Sequence, residues 1–305
     1  MRVTSSMITE QKMKAIQNSS QKLLKKQQQV TTGKKFVRPS DDPKAVKDSL
    51  RINTDIKQGK RYQGNIKHAQ SRAGIVDVKM GTTSNILTQA LTTAISGAKG
   101  IFQQSDRDAL AQEVNESIES LANIANSKQN NEYIFSGTKN NKEAFSFTRD
   151  IEGEITAAQY NGNDSTRSVK IKENQEVEVT YNGDDLFSKP FEALVKLRDT
   201  LQNKSGLPDN EIAAEVSKTI EDIKNASEVN LTNQSKIGSQ INLLENSLVE
   251  NEDYLLQKQS NLSDAEDVDL AQSIIELQNT ENTYQASIYM AARSSRQGGL
   301  LDMIS

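Results

Sequence analysis

The chain has no cysteine and no tryptophan, one histidine and four prolines in 305 residues. Without cysteine there are no disulfides and no thiolate chemistry. The one histidine, His68, lies among Gln, Lys and Ser and is expected to be a solvated helix residue. A single imidazole also excludes most zinc sites and most acid–base catalysis near neutral pH. Aromatic residues make up 5% of the chain, too little to line a wide ligand pocket. No stretch approaches the ~20 apolar residues of a membrane span. The amino terminus, MRVTSSMITEQKMKAIQ, lacks the apolar core of a secretory signal. No phosphate-cradling loop, nucleophile elbow or metal-spaced cluster occurs, so no catalytic residue, cofactor or metal is expected and the chain reads as a non-enzyme.

A mainly α fold is expected instead. With 34% hydrophobic residues and a mean hydropathy of -0.67, the core should be thin and spread along an elongated helical rod. The prolines are Pro39, Pro43, Pro190 and Pro208, so long helices are open between Pro43 and Pro190 and again after Pro208. Residues 5–32 read as one helix with Met13, Ile16, Leu23 and Val30 on a heptad stripe, stopped by Gly33. Asp42 is placed to cap a second helix with Pro43 at its first position, running through Ile52, Ile56, Ile66 and Ala73. Gly81, Gly97 and Gly100 should loosen the chain after it. Ser105 and Asp108 then resemble a capping box before Leu110, Val114, Ile118, Leu121 and Ala125.

Near residue 133 the period changes. Runs at 145–148, 155–160, 169–171 and 177–181 alternate like strands, with Asn161-Gly162 and Asn182-Gly183 as turns. They form a small inserted β-domain, expected to fold by itself and to be closed by Pro190. Helices resume at 191–203 and 209–235, and Ile237, Ile241, Leu244, Leu248, Leu255 and Leu262 follow one heptad register. Ser263 and Glu266 resemble a capping box opening a final helix, which carries Leu270, Ile274, Leu277, Tyr284 and Ile288 and should end at Gly298-Gly299.

The two ends are complementary in charge. Residues 1–38 contain nine bases and only Glu10 as an acid, whereas Asp264 to Glu281 contains six acids and no base. A basic and an acidic helix with matching stripes are expected to pair antiparallel as coiled-coil helices. The basic arm has no interleaved aromatics and the chain is net -4, so no nucleic-acid partner is expected, and no membrane partner either. Three parts follow: 1–43 with 263–305 as a terminal helical pair, 44–140 with 190–262 as a helical rod, and 141–189 as the β-insert.

This nested order resembles the flagellin superfamily of axial proteins, and within it the hook-associated proteins of the hook–filament junction. The resemblance spans nearly the whole chain. It is carried by Met1-Arg2-Val3-Thr4 with Met7, by Pro39-Ser40-Asp41-Asp42-Pro43, and by Asn131-Glu132-Tyr133-Ile134-Phe135-Ser136-Gly137-Thr138. Asp269-Leu270, Ile275-Glu276-Leu277-Gln278, Tyr284-Gln285-Ala286-Ser287 and Leu300-Leu301-Asp302 complete it. The resemblance implies an extracellular flagellar protein, exported without a cleaved signal by the type III export apparatus with an export chaperone. Its implied partners are a hook-associated protein at the hook end, flagellin, and copies of itself. Ile16, Leu23, Val30, Leu270, Ile274, Leu277, Tyr284 and Ile288 are the candidate assembly-interface residues. A flagellin subunit that self-polymerises into the filament is the alternative.

Overall fold

A computed structural model describes residues 2–99 and 103–302; Met1 and Gly100 lie outside them. Among the described residues there are six helices and three two-stranded antiparallel sheets. The helices are α1 (Arg2–Thr32), α2 (Pro43–Gly97), α3 (Gln104–Ala125), α4 (Gly183–Leu201), α5 (Asp209–Glu266) and α6 (Leu270–Asp302). The strands are β1 (Lys128–Gln129), β2 (Glu132–Tyr133), β3 (Phe145–Arg149), β4 (Ile155–Tyr160), β5 (Ser168–Lys172) and β6 (Gln175–Glu178), paired in sequence order. The chain packs as two compact units, one of residues 1–60 with 253–305 and one of 61–252.

Local chemistry sets most helix starts. Asp42 Oδ1 accepts the Ala45 N–H at 3.0 Å ahead of Pro43, so α2 is capped as its sequence predicts. α2 then continues through Gly81 and ends at Gly97, so the expected loosening does not occur at Gly81 but the helix does stop at Gly97. A helical glycine costs about 1 kcal/mol relative to alanine and does not break a helix whose flanks are packed. α3 starts at Gln104, not at Ser105: Asp106 Oδ2 accepts the Gln103 N–H at 3.2 Å and serves as the acidic side chain of the cap.

Two further expectations are corrected. Asn182-Gly183 is a helix start and not only a turn, because Asn182 Oδ1 accepts the Asp184 N–H at 3.0 Å. α4 therefore begins before Pro190 and carries it inside. One backbone bond is lost there, but Leu186, Phe187, Pro190, Phe191 and Leu194 are all buried along this stretch, and that packing holds the helix. Likewise α5 runs unbroken from Asp209 to Glu266, so Ser263 and Glu266 close a helix and do not open one.

The unit of residues 61–252 has one hydrophobic cluster. Ile66, Val76, Leu87, Ile118, Leu121, Leu194, Leu197, Val216 and Leu244 from the helices are buried in it with Phe145, Ile155, Ile171 and Val177 from the hairpins. Phe145 is its aromatic hub, with ring centroids 5.3–6.4 Å from Phe147, Tyr160, Phe187 and Phe191. The sequence predicts hairpins that fold by themselves, yet their apolar faces complete the core of the helices.

The segment Tyr133–Thr138 ties this unit together. The Ile134 carbonyl accepts from buried Arg72 at 3.3 Å. The Phe135 carbonyl accepts the Gly183 N–H at 2.8 Å and the Tyr160 hydroxyl at 3.2 Å. Gly137 has φ +66°, and a Cβ there would lie 2.1 Å from the Asn163 carbonyl, so only glycine fits. The neighbouring Thr138 donates its N–H to Asn163 Oδ1 at 2.8 Å.

Candidate assembly surface

The unit of residues 1–60 with 253–305 contains the terminal helices. α1 stops where Gly33 turns left-handed, at φ +69°, and returns its N–H to the Gln29 carbonyl at 2.9 Å. The chain then meets the start of α6. Lys34 and Asp267 form an antiparallel bridge, Lys35 N–H donates to the Glu266 carbonyl at 2.6 Å, and Val268 N–H donates to the Gly33 carbonyl at 2.9 Å. Asp269 opens α6 by accepting the Gln272 N–H at 3.1 Å. The α6 helix runs to Asp302, so Gly298-Gly299 does not end it. Asp41 ties the connector before α2: its Oδ2 accepts the N–H groups of Arg38 at 3.0 Å and Val37 at 3.3 Å, and Lys25 lies 3.4 Å from its Oδ1. Hydrogen bonding from Arg38 holds the Asp41 carboxyl below its ordinary value, against a partial desolvation that pushes it up.

From this joint α1 and α6 pack together as the antiparallel pair expected from the sequence. Lys26 Nζ donates to Glu276 Oε2 at 2.5 Å, so the predicted charge complementarity is realised in part by direct pairing. That hydrogen bond is the main cause holding the Glu276 carboxyl low. The seam is narrow. Ser19 and Ser273 are buried, whereas Ile16, Leu23, Val30, Leu277 and Tyr284 are half-buried at heptad intervals. Leu270, Ile274 and Ile288 stay 43–52% exposed. The candidate interface residues therefore divide into five on the seam and three turned toward solvent.

Sequence periodicity missed two features. Glu266 is a hub: Lys34 Nζ and Ser49 Oγ donate to its carboxylate, and Asn53 Nδ2 lies 3.5 Å away. No local pattern announces a contact between residues 217 positions apart. The second feature is the breadth of the exposed apolar surface, which includes Met13, Leu24, Ile275, Tyr289 and Met290. Here a signal exists. Ile274-Ile275 and Ile288-Tyr289-Met290 are adjacent apolar residues, and neighbours on a helix cannot all face one seam.

Burial pushes the Glu266 carboxyl up, but hydrogen bonds from Lys34 and Ser49 and the Lys34 charge outweigh it, leaving the pKa below the ordinary 4.5. The folded state thus binds this proton more weakly than the unfolded chain does. Its contribution to stability should be complete above about pH 4.5 and disappear as pH falls through the lowered value. Thermal unfolding of wild type and Glu266→Gln, followed from pH 7 to pH 3, should give curves that differ near neutrality and converge in acid. A constant difference across that range would remove Glu266 as the titrating group.

Among the described residues no helix is long and apolar enough to cross a membrane, and no cluster of acidic residues and histidine is arranged to hold a metal. The family model of the bacterial flagellin N-terminal helical region matches residues 3–140. The flagellar hook-associated protein 3 of Escherichia coli (strain K12) is 25% identical over 94% of this chain and 95% of its own length. A solved putative flagellar hook-associated protein from Vibrio parahaemolyticus aligns with a TM-score of 0.65 at 20% identity, over 74% of this chain and 100% of its own. The flagellar junction protein FlgL from Legionella pneumophila aligns with a TM-score of 0.59 at 17% identity, over 72% and 99%. Residues 3–140 thus resemble the flagellin N-terminal helical region, nearly the whole chain is similar in sequence to the hook-associated protein 3 of Escherichia coli, and the fold is that of the solved hook-associated proteins.

Proposed function

We propose that this chain is a structural axial subunit of the bacterial flagellum that joins the hook, through hook-associated neighbours, to the flagellin filament. The observation that carries this reading is the terminal pair. Its seam uses only part of the apolar surface of α1 and α6, and a second apolar set on the same helices remains open. Open-ended contacts through such a set propagate along a tube and do not close into a dimer. The docking role of the ends belongs to the proposal: residues 1–43 with 263–305 dock in the lattice, and the remainder spaces them. So do export through the flagellar type III apparatus with a chaperone, extracellular placement, contacts with copies of itself, and the absence of catalysis.

The exposed set provides the test. Ile274→Asp with Ile288→Asp places carboxylates where the free chain tolerates them but a packed interface would desolvate them. Attached filaments should be lost in a complemented deletion strain, while the thermal transition of the purified chain stays put. Leu277→Asp lies on the seam and should open the helix pair as well. Filaments attached at the wild-type level in the exposed double variant would overturn the assignment. The flagellin match over residues 3–140 also favours a second reading, a filament subunit that self-polymerises. Long filaments formed by the purified chain alone would select it, and hooks without filaments in the deletion strain would select the junction.

A further inference from the structure

The six methionines are unevenly placed: Met1, Met7 and Met13 near one end, Met290 and Met303 near the other, and Met80 between. Met80 is completely buried in the core cluster, whereas Met7, Met13 and Met290 are 56–65% exposed on α1 and α6. The Lys26–Glu276 pairing and the Lys34–Asp267 bridge fix the antiparallel register, which brings Met13 level with the Ile288–Met290 turn. Ile288 and Tyr289 are exposed there too, so the thioethers of Met13 and Met290 belong to the apolar surface assigned to assembly, and Met7 is open on the same helix as Met13. Leucine and isoleucine supply most of the remaining large apolar side chains and are inert to mild oxidants. Methionine is not, and it is also the most adaptable apolar side chain at a contact surface.

We propose that Met7, Met13 and Met290 make the terminal helix pair peroxide-sensitive, and that their oxidation blocks assembly of a subunit not yet in the lattice. This rests on the proposed role of the terminal pair. In the step, the O–O bond of hydrogen peroxide or an organic hydroperoxide breaks. One oxygen bonds to the thioether sulfur, which loses two electrons, and the other leaves as water or an alcohol. The product sulfoxide is polar and chiral and cannot be desolvated at an apolar contact without cost. Met80, with no exposed surface, stays reduced while the chain is folded.

Two measurements test this. Peptide mass spectrometry of the purified full chain after mild hydrogen peroxide should find sulfoxide at Met7, Met13 and Met290 before Met80, with an unchanged helical circular dichroism spectrum. In a complemented deletion strain, Met7→Gln/Met13→Gln/Met290→Gln should lower the fraction of cells with attached filaments about tenfold, because the amide imitates the polarity of the sulfoxide. Peroxide added during filament growth should depress attachment for wild type but not further for Met7→Leu/Met13→Leu/Met290→Leu, whatever that variant's starting level. If the Gln variant is not secreted, this peroxide comparison decides. Oxidation of Met80 as fast as the others, or equal peroxide loss in the wild type and the Leu variant, overturns the inference. If the Gln variant attaches normally while Ile274→Asp with Ile288→Asp does not, only this inference falls. If both attach normally, the terminal pair is not the assembly surface.

Discussion

Replacement of residues 141–181 by a short Gly/Ser linker is expected to abolish cooperative unfolding of the unit of residues 61–252. The replaced segment removes Ala144, Phe145, Ile155, Ile171, Val177 and Val179 from one shared core, leaving Phe191 without its ring partners Phe145 and Phe147 and Phe187 with Phe135 alone. Truncating a buried phenylalanine alone costs about 3–5 kcal/mol. Domain stabilities are only about 5–15 kcal/mol, so the loss of the whole segment exceeds what this unit can absorb. Phe145→Ala is the graded version: its urea midpoint, followed by circular dichroism, should fall steeply while the helical signal in water is retained. A shortened chain that unfolds cooperatively at the wild-type midpoint would show that the helices complete a core without the hairpins.

Arg198→Ala should be nearly as damaging. Arg198 has no exposed surface, and its guanidinium donates to the Ile155 carbonyl at 2.7 Å and to Asp199 Oδ1 at 2.7 Å, with Glu154 at 3.8 Å. It fastens β4 to α4, while Lys204 pairs with Glu154 at 3.1 Å and Asp150 at 3.3 Å on the adjoining turn. Removing this fully buried guanidinium leaves the Ile155 carbonyl without its donor and leaves Lys204 as the one cation shared by Glu154, Asp199 and Asp150; losing one member of a buried charge pair costs about 3–5 kcal/mol. Arg198→Met with Glu154→Gln should recover part of that loss, because Lys204 then has one carboxylate fewer to compensate and the methionine refills the buried space. Equal midpoints for wild type and Arg198→Ala would mean that the network contributes nothing net to stability.

The stripe of Ile237, Ile241, Leu244, Leu248 and Leu255 shows how far sequence reasoning reaches. Its members are all buried or half-buried, as a heptad register requires. The caps at Asp42 and Gly33 and the strand runs from 145 to 178 were legible for the same reason, since each depends on residues a few positions apart. Pro190, Gly81 and Ser263 with Glu266 misled because they are local stop or start signals, worth about 1–3 kcal/mol each. Packing along α2, α4 and α5 outweighs signals of that size.

The sequence by itself determined most of the helical segments, the four longer strand runs, the antiparallel pairing of the two ends, and the terminal stripes to which Ile16, Leu23, Val30, Leu277 and Tyr284 belong. Periodicity and charge are properties of one segment, and the two ends carry them in matching form. Only the tertiary structure decided that Leu270, Ile274 and Ile288 stay open, that Glu266 joins Lys34 and Ser49, and that the hairpins complete the helical core. Each of these is a contact, or the lack of one, between residues far apart in the chain. A helix face reveals that it is apolar, but what covers it is set by the geometry of the elements that arrive beside it.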